Sequence, residues 1–189
     1  WGYIAPFIAN FEYSPFDTIE TALIEGVSRG RGGLGTNYVY SAGNNFAQGM
    51  DTNYSSLTNS AFTITVGSIN RSGASSSFSN QGATILVSAP GEGIVTTDPA
   101  GSAGRDAGDF VSVSGTSFAA PIVSGVIALM LEANPRLGYR DVQEILALSA
   151  YKPPNTGTFF TNGATNWNGG GMTYSDDFGF GIVDATAAV

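Results

Sequence analysis

The pattern of apolar and polar residues divides the chain into short buried segments separated by polar loops. The sequence SPFD at 14–17 is a typical helix start, with Ser14 as the N-cap and Pro15 at the first helical position. The apolar residues that follow recur at helical spacing, which predicts a helix with one buried face. They are Ile19, Ala22, Leu23, Gly26 and Val27. The helix is expected to end in the glycine-rich run 30–35.

Three strand-like segments follow, at 38–42, 62–66 and 84–89. Each is rich in β-branched or aromatic residues and is closed by Gly or Pro, which is typical of a short strand. Loops rich in Gly, Ser and Asn separate the strands, at 44–60 and 71–82.

The segment 117–134 is apolar almost all round, which predicts a helix buried on every side. A helix with one apolar face is expected over 141–150. Loop is expected over most of 152–175, and a short closing helix over 182–189. Strands that alternate with helices predict an α/β fold, a parallel sheet flanked by helices. Because no repeat or linker is visible, residues 1–189 are expected to form a single domain.

Composition narrows the classes of function. The net charge of −8 disfavours a nucleic-acid partner or an anionic membrane, and the longest apolar run, 118–131, is shorter than a membrane span. Cys is absent, which excludes disulfides, thiolate metal sites and cysteine catalysis. His is also absent, although His is the usual base for a hydroxyl nucleophile. Together with a narrow sheet that would leave one edge uncovered, this predicts part of a larger fold.

The segment 114–121 (SGTSFAAP) contains the candidate nucleophile, Ser117, at the start of the apolar helix. A helix N-terminus presents free N–H groups and the positive end of the helix dipole. A serine there can attack a carbonyl while its own N–H faces the resulting oxyanion. Taken alone, a serine before a helix is also a common N-cap.

Several segments resemble the subtilisin-like serine proteases. The pattern GTSxAxP at 115–121, before an apolar helix, resembles the active-site serine motif of that family. SAGN at 41–44 resembles the segment whose Asn completes the oxyanion hole, and VSAPG at 87–91 resembles the family's Ala-Pro-Gly loop. Segments that resemble the kexin-like branch lie at 30–35, 131–135, 140–143 and 178–185. The chain is thus identified as the C-terminal part of a subtilisin-like catalytic domain.

The resemblance implies a serine endopeptidase with a Ser-His-Asp triad, in which Ser117 is the nucleophile and Asn44 holds the oxyanion. In this family the Asp and His precede the Ser, so both would lie upstream of Trp1. The implied substrate-binding residues are Trp1, Gly2, Ser41, Ala42, Gly43 and Thr116. Without its base, the chain alone is expected to be inactive. A non-catalytic fragment or pseudoprotease with a binding role is the alternative.

The partners implied are a peptide or protein substrate and the N-terminal part of the same domain, without nucleic acid or membrane. The chemistry needs no cofactor, but structural calcium is frequent in the family. Asp51 is a weak candidate ligand, as are the pairs Asp106/Asp109 and Asp176/Asp177. The family also implies a secreted protein, extracellular or periplasmic.

The resemblance departs from the kexin-like pattern at the first specificity pocket. Kexin-like proteases select Lys or Arg with acidic groups, and Ala5, Ser55 and Asn80 fall near those positions here. Because a buried cation without a counter-charge is costly, we expect no strong preference for basic P1 residues. Apolar or medium-sized P1 side chains are expected instead.

Two further motifs are rejected on the order of the elements around them. GVSRG at 26–30 fits the nucleophile elbow of α/β-hydrolases, which needs a strand before the serine, whereas a helix is predicted there. GRGGLG at 30–35 matches the dinucleotide-binding fingerprint but follows a helix and precedes a strand, the reverse of the required order.

Overall fold

The computed structural model describes residues 5–154, 156–161, 163 and 171–189. Its central sheet has three parallel strands in the order β1 (Tyr38–Ser41), β2 (Thr63–Ile69) and β3 (Ile85–Pro90). The three predicted strands are therefore confirmed. The middle strand runs three residues beyond its predicted end, because positions 67–69 are buried and still pair with Ser88–Pro90 of β3.

Helices cover both faces of this sheet, which confirms the predicted α/β class. They are α1 (Phe16–Arg29), α2 (Thr116–Ala133), α3 (Tyr139–Ser149) and α4 (Ala185–Ala188). Ile64 and Val66 of β2 share one buried cluster with residues of α2, α3 and α4. Side chains alternate along a strand, so Tyr38 and Tyr40 of β1 point to the opposite face, where the Tyr38 hydroxyl donates to the Ala22 carbonyl of α1 at 3.3 Å.

The second face of β2 is lined by hydroxyls instead of aliphatic side chains. Thr63 donates its hydroxyl to the Leu57 carbonyl and Thr65 donates to the Thr58 carbonyl, both at 2.8 Å. Each buried hydroxyl thus has a partner in the loop that covers this face, which offsets the cost of removing it from water.

The start of α1 differs from the prediction. The helix begins at Phe16, with Pro15 in the N-cap position and no side-chain cap. The carbonyl of Tyr13 accepts from the N–H groups of Phe16 and Asp17, at 2.7 and 3.3 Å. The prediction of Ser14 as N-cap is wrong, because a backbone carbonyl already fills the role that a capping hydroxyl would take.

The prediction that α2 is buried on every side is also wrong. Only one face is buried, through Thr116, Ala119, Val123, Val126, Ile127 and Met130. Ile122 and Leu129 on the outer face are 36% and 48% exposed. By length and apolar composition this 18-residue helix would suffice to cross a membrane, but core helices share those properties, and here it packs against all three strands. Within the described part of the chain, no layer covers its outer face.

Two antiparallel pairs of short strands escaped the sequence analysis. A ribbon formed by β4 (Ile94–Thr97) and β5 (Phe110–Val113) precedes α2, and a second pair joins β6 (Phe160–Thr161) to β7 (Thr173–Tyr174). These strands have only four and two residues, so period-2 alternation is too brief to detect. The closing helix is also shorter than predicted, because Ile182 bridges to Ser88 and Tyr151.

The two edges of the central sheet differ. At the β3 edge, Ser88 donates its N–H to the Gly181 carbonyl and accepts from the Val183 N–H, both at 2.9 Å. No strand among the described residues pairs with the outer edge of β1. The expected uncovered edge is therefore present. Whether residues 1–189 form a single domain stays a prediction.

The core between α3 and the sheet should depend strongly on Leu146, which is fully buried. We expect Leu146→Ala to lower the free energy of unfolding by about 2–5 kcal/mol, because it leaves a cavity in a packed core. Leu148→Ala on the same helix is the matched control, since that side chain is 60% exposed. Its cost should stay within about 0.5 kcal/mol. Urea unfolding followed by circular dichroism measures both, and equal losses would contradict the packing described here.

Candidate active site

The candidate site lies where the carboxyl ends of the parallel strands meet the start of α2. The Gly115 N–H donates to the Gly91 carbonyl at 2.7 Å, which ties the loop before the helix to the segment after β3. Ser117 follows in the first helical turn and is exposed. Neither its N–H nor its hydroxyl is hydrogen bonded to another described residue. Both groups are thus free to meet a ligand.

The carboxamide of Asn44 is fixed against this helix start. Its Oδ1 accepts from the backbone N–H and from the hydroxyl of Thr116, both at 2.8 Å. Because both of these groups donate, the oxygen is the atom that must face Thr116. The Nδ2 amide, which contacts no acceptor among the described residues, lies against Gly115, where an added Cβ would be 3.4 Å from it.

This arrangement supplies N–H donors at an exposed hydroxyl. The free N–H of Ser117 directly follows the Gly115–Thr116 turn, and the free amide of Asn44 lies against Gly115 of the same turn. Pre-oriented N–H donors of this kind stabilise the charge that develops on a carbonyl oxygen during acyl transfer. The chain contains no His, so it supplies no imidazole base.

The Thr116 side chain is hydrogen bonded to the loop that carries Asn44. Its side chain is fully buried, and its hydroxyl accepts from the Gly43 N–H at 3.1 Å while donating to Asn44. A side chain sealed in this way is not exposed to a substrate. The hydroxyl is thus committed to holding the 43–44 backbone and carboxamide, and a role of Thr116 in substrate binding stays a prediction.

Three of the predicted substrate-binding residues, Ser41, Ala42 and Gly43, line a small cavity of about 50 Å³ beside Asn44. The other lining residues are Tyr40, Asn45, Met50, Asp51, Ser55, Thr58 and Asn80. Trp1 and Gly2 lie outside the described residues. A larger cavity of about 690 Å³ lies elsewhere, between α3 and the segment 172–180. Because no serine is among its lining residues, it does not contain the candidate nucleophile.

Asn80 was named in the sequence analysis only as a replaced acidic position, but it makes three hydrogen bonds to the loop that carries Asn44. It is 6% exposed and donates its backbone N–H to the Gly43 carbonyl at 2.9 Å. Its side chain makes two further hydrogen bonds to the same loop. No local pattern signals this, because the partners are 35 and 38 residues away.

Asp51 lines the cavity, and its carboxylate is already engaged. Its Oδ1 accepts from the backbone N–H and the side-chain amide of Asn53, both at 2.7 Å. Across the described ranges, no group of three or more His, Cys, Asp or Glu residues forms a candidate metal site. The expectation of structural calcium at Asp51 or at the paired acids stays a prediction.

Asp177 accepts a hydrogen bond from the Gln81 amide, next to Asn80. Burial raises the pKa of this carboxyl, and the neighbouring charge of Asp176 raises it further. The folded chain therefore holds this proton more tightly than the unfolded chain, and stability falls as pH rises from the ordinary aspartate pKa, about 3.9, to the raised value.

The substitution Asp177→Asn should remove this dependence, because its amide oxygen still accepts from Gln81 but carries no charge. We expect a higher melting temperature at pH 7 and little change at pH 3, measured by thermal unfolding. Asp109→Asn is the control, since Asp109 is exposed and its side chain bonds to no described residue. A stabilisation of Asp177→Asn that is equal at both pH values would contradict this assignment.

The rejected motifs lie where the element order predicted. The Ser28 hydroxyl donates back to the Ile24 carbonyl at 2.7 Å inside α1, so it is not a nucleophile at a strand–helix turn. The first four residues of the run 30–35, Gly30–Gly33, form a 3₁₀ turn between α1 and β1. Phe159 stacks on Phe178 with ring centroids 5.9 Å apart, so it is a packing residue.

Comparison with known proteins places this geometry in a family. Residues 13–181 match the model of the subtilase family. The chain is 36% identical over 177 residues to kexin of Saccharomyces cerevisiae, covering 90% of this chain and 20% of kexin. It is 35% identical over 182 residues to the dibasic-processing endoprotease of Schizosaccharomyces pombe, covering 93% and 24%.

Solved structures show the same fold. The crystal structure of the Aeromonas sobria serine protease matches with a TM-score of 0.76 and 26% identity, over 100% of this chain and 41% of that chain. The chain thus spans less than half of that protein and a quarter or less of the two curated relatives. The chain belongs to the subtilase family of serine proteases, and its relatives are of the kexin-like type.

Proposed function

We propose that the chain is the C-terminal part of the catalytic domain of a serine endopeptidase, with Ser117 as nucleophile and Asn44 as oxyanion-hole donor. The observation that carries this proposal is the double hydrogen bond from Thr116 to Asn44 Oδ1, directly before the exposed Ser117. It leaves the Asn44 amide unpaired at the mouth of α2, where an oxyanion would need it.

The proposed reaction is peptide hydrolysis in two steps. Ser117 Oγ attacks the scissile carbonyl as a His takes its proton, and the tetrahedral oxyanion accepts from the Asn44 amide and the Ser117 N–H. The His proton then passes to the leaving amine as the C–N bond breaks, which leaves an acyl-serine. Water, deprotonated by the same His, hydrolyses this ester and regenerates the hydroxyl.

The His and its orienting Asp are proposed to come from the N-terminal part of the same domain. The absence of His from the printed sequence supports this origin. Two unpaired surfaces also support it: the outer edge of β1 and the apolar face of α2 around Ile122 and Leu129. A strand edge and an apolar helix face are features that folded proteins cover. The chain alone is therefore proposed to be inactive.

A fluorophosphonate probe tests the proposal, because it labels only an activated serine. The chain alone should not react, and the chain assembled with its N-terminal part should be labelled at Ser117, as located by peptide mass spectrometry. Absence of labelling in the assembled domain would overturn the proposal. It would favour the alternative, a non-catalytic fragment or pseudoprotease with a binding role, which the lack of His also fits.

The substrate class is proposed from the cavity between Ser41–Gly43 and Asn80. Asp51 is its one acidic lining residue, and its Oδ1 already accepts two hydrogen bonds from Asn53. We expect the assembled enzyme to cleave Phe or Leu peptides faster than Arg peptides by at least roughly tenfold, because a buried Arg side chain would find a single carboxylate, one oxygen of which is already engaged. Equal or faster cleavage of Arg peptides, measured as kcat/KM, would contradict this and align the protein with the dibasic-processing relative.

Membership of the family is the main support for the remaining expectations. The protein is proposed to be secreted, extracellular or periplasmic, to need no cofactor for chemistry and to bind structural calcium at most. Its proposed partners are a peptide or protein substrate and the N-terminal part of its own domain, without nucleic acid or membrane. The net charge of −8 supports the exclusion of nucleic acid.

A further inference from the structure

We infer that Asn80 is a positioning residue for the oxyanion hole, since it holds the backbone on both sides of Asn44. This inference rests on the proposed role of Asn44 in the reaction. Asn80 would touch neither the reacting atoms nor the triad, and would act through the 42–45 loop alone.

Three hydrogen bonds from this one residue enclose Asn44. The Asn80 amide donates to the Ala42 carbonyl at 3.0 Å, and its Oδ1 accepts from the Asn45 N–H at 2.8 Å. Its backbone N–H donates to the Gly43 carbonyl at 2.9 Å. The carboxamide also lies directly against Gly43, where an added Cβ would overlap Nδ2. Ala42 and Gly43, which precede Asn44, and Asn45, which follows it, are thus all hydrogen bonded to Asn80.

These bonds do something that Thr116 does not do. Thr116 orients the Asn44 side chain through Oδ1, and its hydroxyl also accepts from the Gly43 N–H. The Ala42 carbonyl and the Asn45 N–H are instead held by Asn80. If they were released, the backbone of Asn44 could shift, and displacement of a catalytic group by about 1 Å costs on the order of 10²-fold in rate.

The two residues that follow Asn80 are held by bonds to a distant segment. Gly82 donates its N–H to the Asp176 carbonyl at 3.0 Å, and Tyr174 donates its hydroxyl to the Gly82 carbonyl at 2.6 Å. Gln81 donates to the Asp177 carboxyl. The segment 80–82 is therefore tied to the segment 174–177 near the end of the chain. Because Asn80 directly precedes these anchored residues, its backbone has a fixed position from which the side chain can hold the loop.

A double-mutant cycle on the assembled protease domain tests the inference. The variants are Asn80→Ala, Asn44→Ala and the double variant, assayed at saturating substrate. The substrate has Ala at P1, so that contacts between the P1 side chain and Asn80 in the cavity wall contribute little to the measured rate. Asn80→Ala should lower kcat by roughly 10-fold to 100-fold in the wild-type background. With Asn44→Ala already present it should have an effect of roughly twofold or less, because residues that act as a unit are not additive.

Ser79→Ala is the matched control, since Ser79 is adjacent and 1% exposed, and its hydroxyl contacts the Ser68 N–H and, at 3.4 Å, the Asn80 backbone carbonyl, but neither the Asn80 side chain nor the 42–45 loop. It should change kcat by no more than roughly twofold. Should Asn80→Ala not fold, Asn80→Asp replaces it in the cycle, because it keeps the acceptor for Asn45 and loses the donor to Ala42. The side-chain amide signal of Asn44 in a ¹H–¹⁵N spectrum is a second readout, and it should shift in the Asn80 variant and not in the Ser79 variant.

The outcomes separate this inference from the proposed function. Equal losses from the Asn80 substitution with and without Asn44, or no loss at all, would overturn the positioning role and leave the protease proposal intact. No loss from Asn44→Ala alone would overturn the proposed oxyanion role, and the positioning role with it.

Discussion

Replacement of Ser117 by alanine should abolish both fluorophosphonate labelling and peptide hydrolysis by the assembled domain. Without Oγ no acyl-enzyme can form, and only the oxyanion hole and substrate binding remain. In subtilisin, itself a member of this family, removal of the nucleophile costs about 10⁶-fold in kcat, and we expect a loss of that order. KM should change little, because the exposed hydroxyl contributes no buried contact to a bound substrate. Steady-state hydrolysis of a chromogenic peptide and the probe assay measure the two effects.

Ser124→Ala provides the matched control for this experiment. Ser124 is also exposed on α2, and its hydroxyl donates to the Ala120 carbonyl at 3.1 Å, two turns away from the helix start. Its loss should leave labelling and kcat within roughly twofold. Persistent labelling of the Ser117→Ala variant, or equal losses in both variants, would show that the nucleophile lies elsewhere.

Asn44→Ala should lower kcat by about 10²–10³-fold, the loss measured when the corresponding donor is removed from a subtilisin. The amide is exposed and unpaired, whereas the oxygen is held by Thr116, so the substitution removes a donor that is already aimed. Because the bond to the carbonyl oxygen strengthens as charge develops, the loss should fall on kcat more than on KM. Steady-state and single-turnover kinetics of the assembled domain distinguish a loss in kcat from a change in KM.

Gln48→Ala is the control for the loss of an amide in the same loop. Gln48 is exposed, and its side chain bonds to no described residue. It should leave kcat unchanged within roughly twofold. A loss for Asn44→Ala that appears entirely in KM would indicate substrate binding rather than oxyanion stabilisation.

The three central strands were predictable from sequence because each is a short run of β-branched and aromatic residues closed by Gly or Pro, a local signal. The first helix was placed by its spacing, but its start was not, because the Tyr13 carbonyl that caps Phe16 depends on how the chain enters the helix. For α2, composition predicted burial all round. Its outer face is exposed because no other layer of the described structure packs on it. The composition of a helix does not show which layers surround it.

The sequence by itself determined the α/β class, the family and the two candidate site residues, Ser117 and Asn44, because these depend on runs and motifs a few residues long. Only the tertiary structure decided that Thr116 anchors Asn44 and that Asn80 holds the loop around it. The physical reason is distance along the chain: the hydrogen bonds concerned join residues 72 and 35–38 positions apart. The residues around a polar side chain do not show which distant group it will bond. The partner is therefore known only from the fold, in which the strands bring the two segments together.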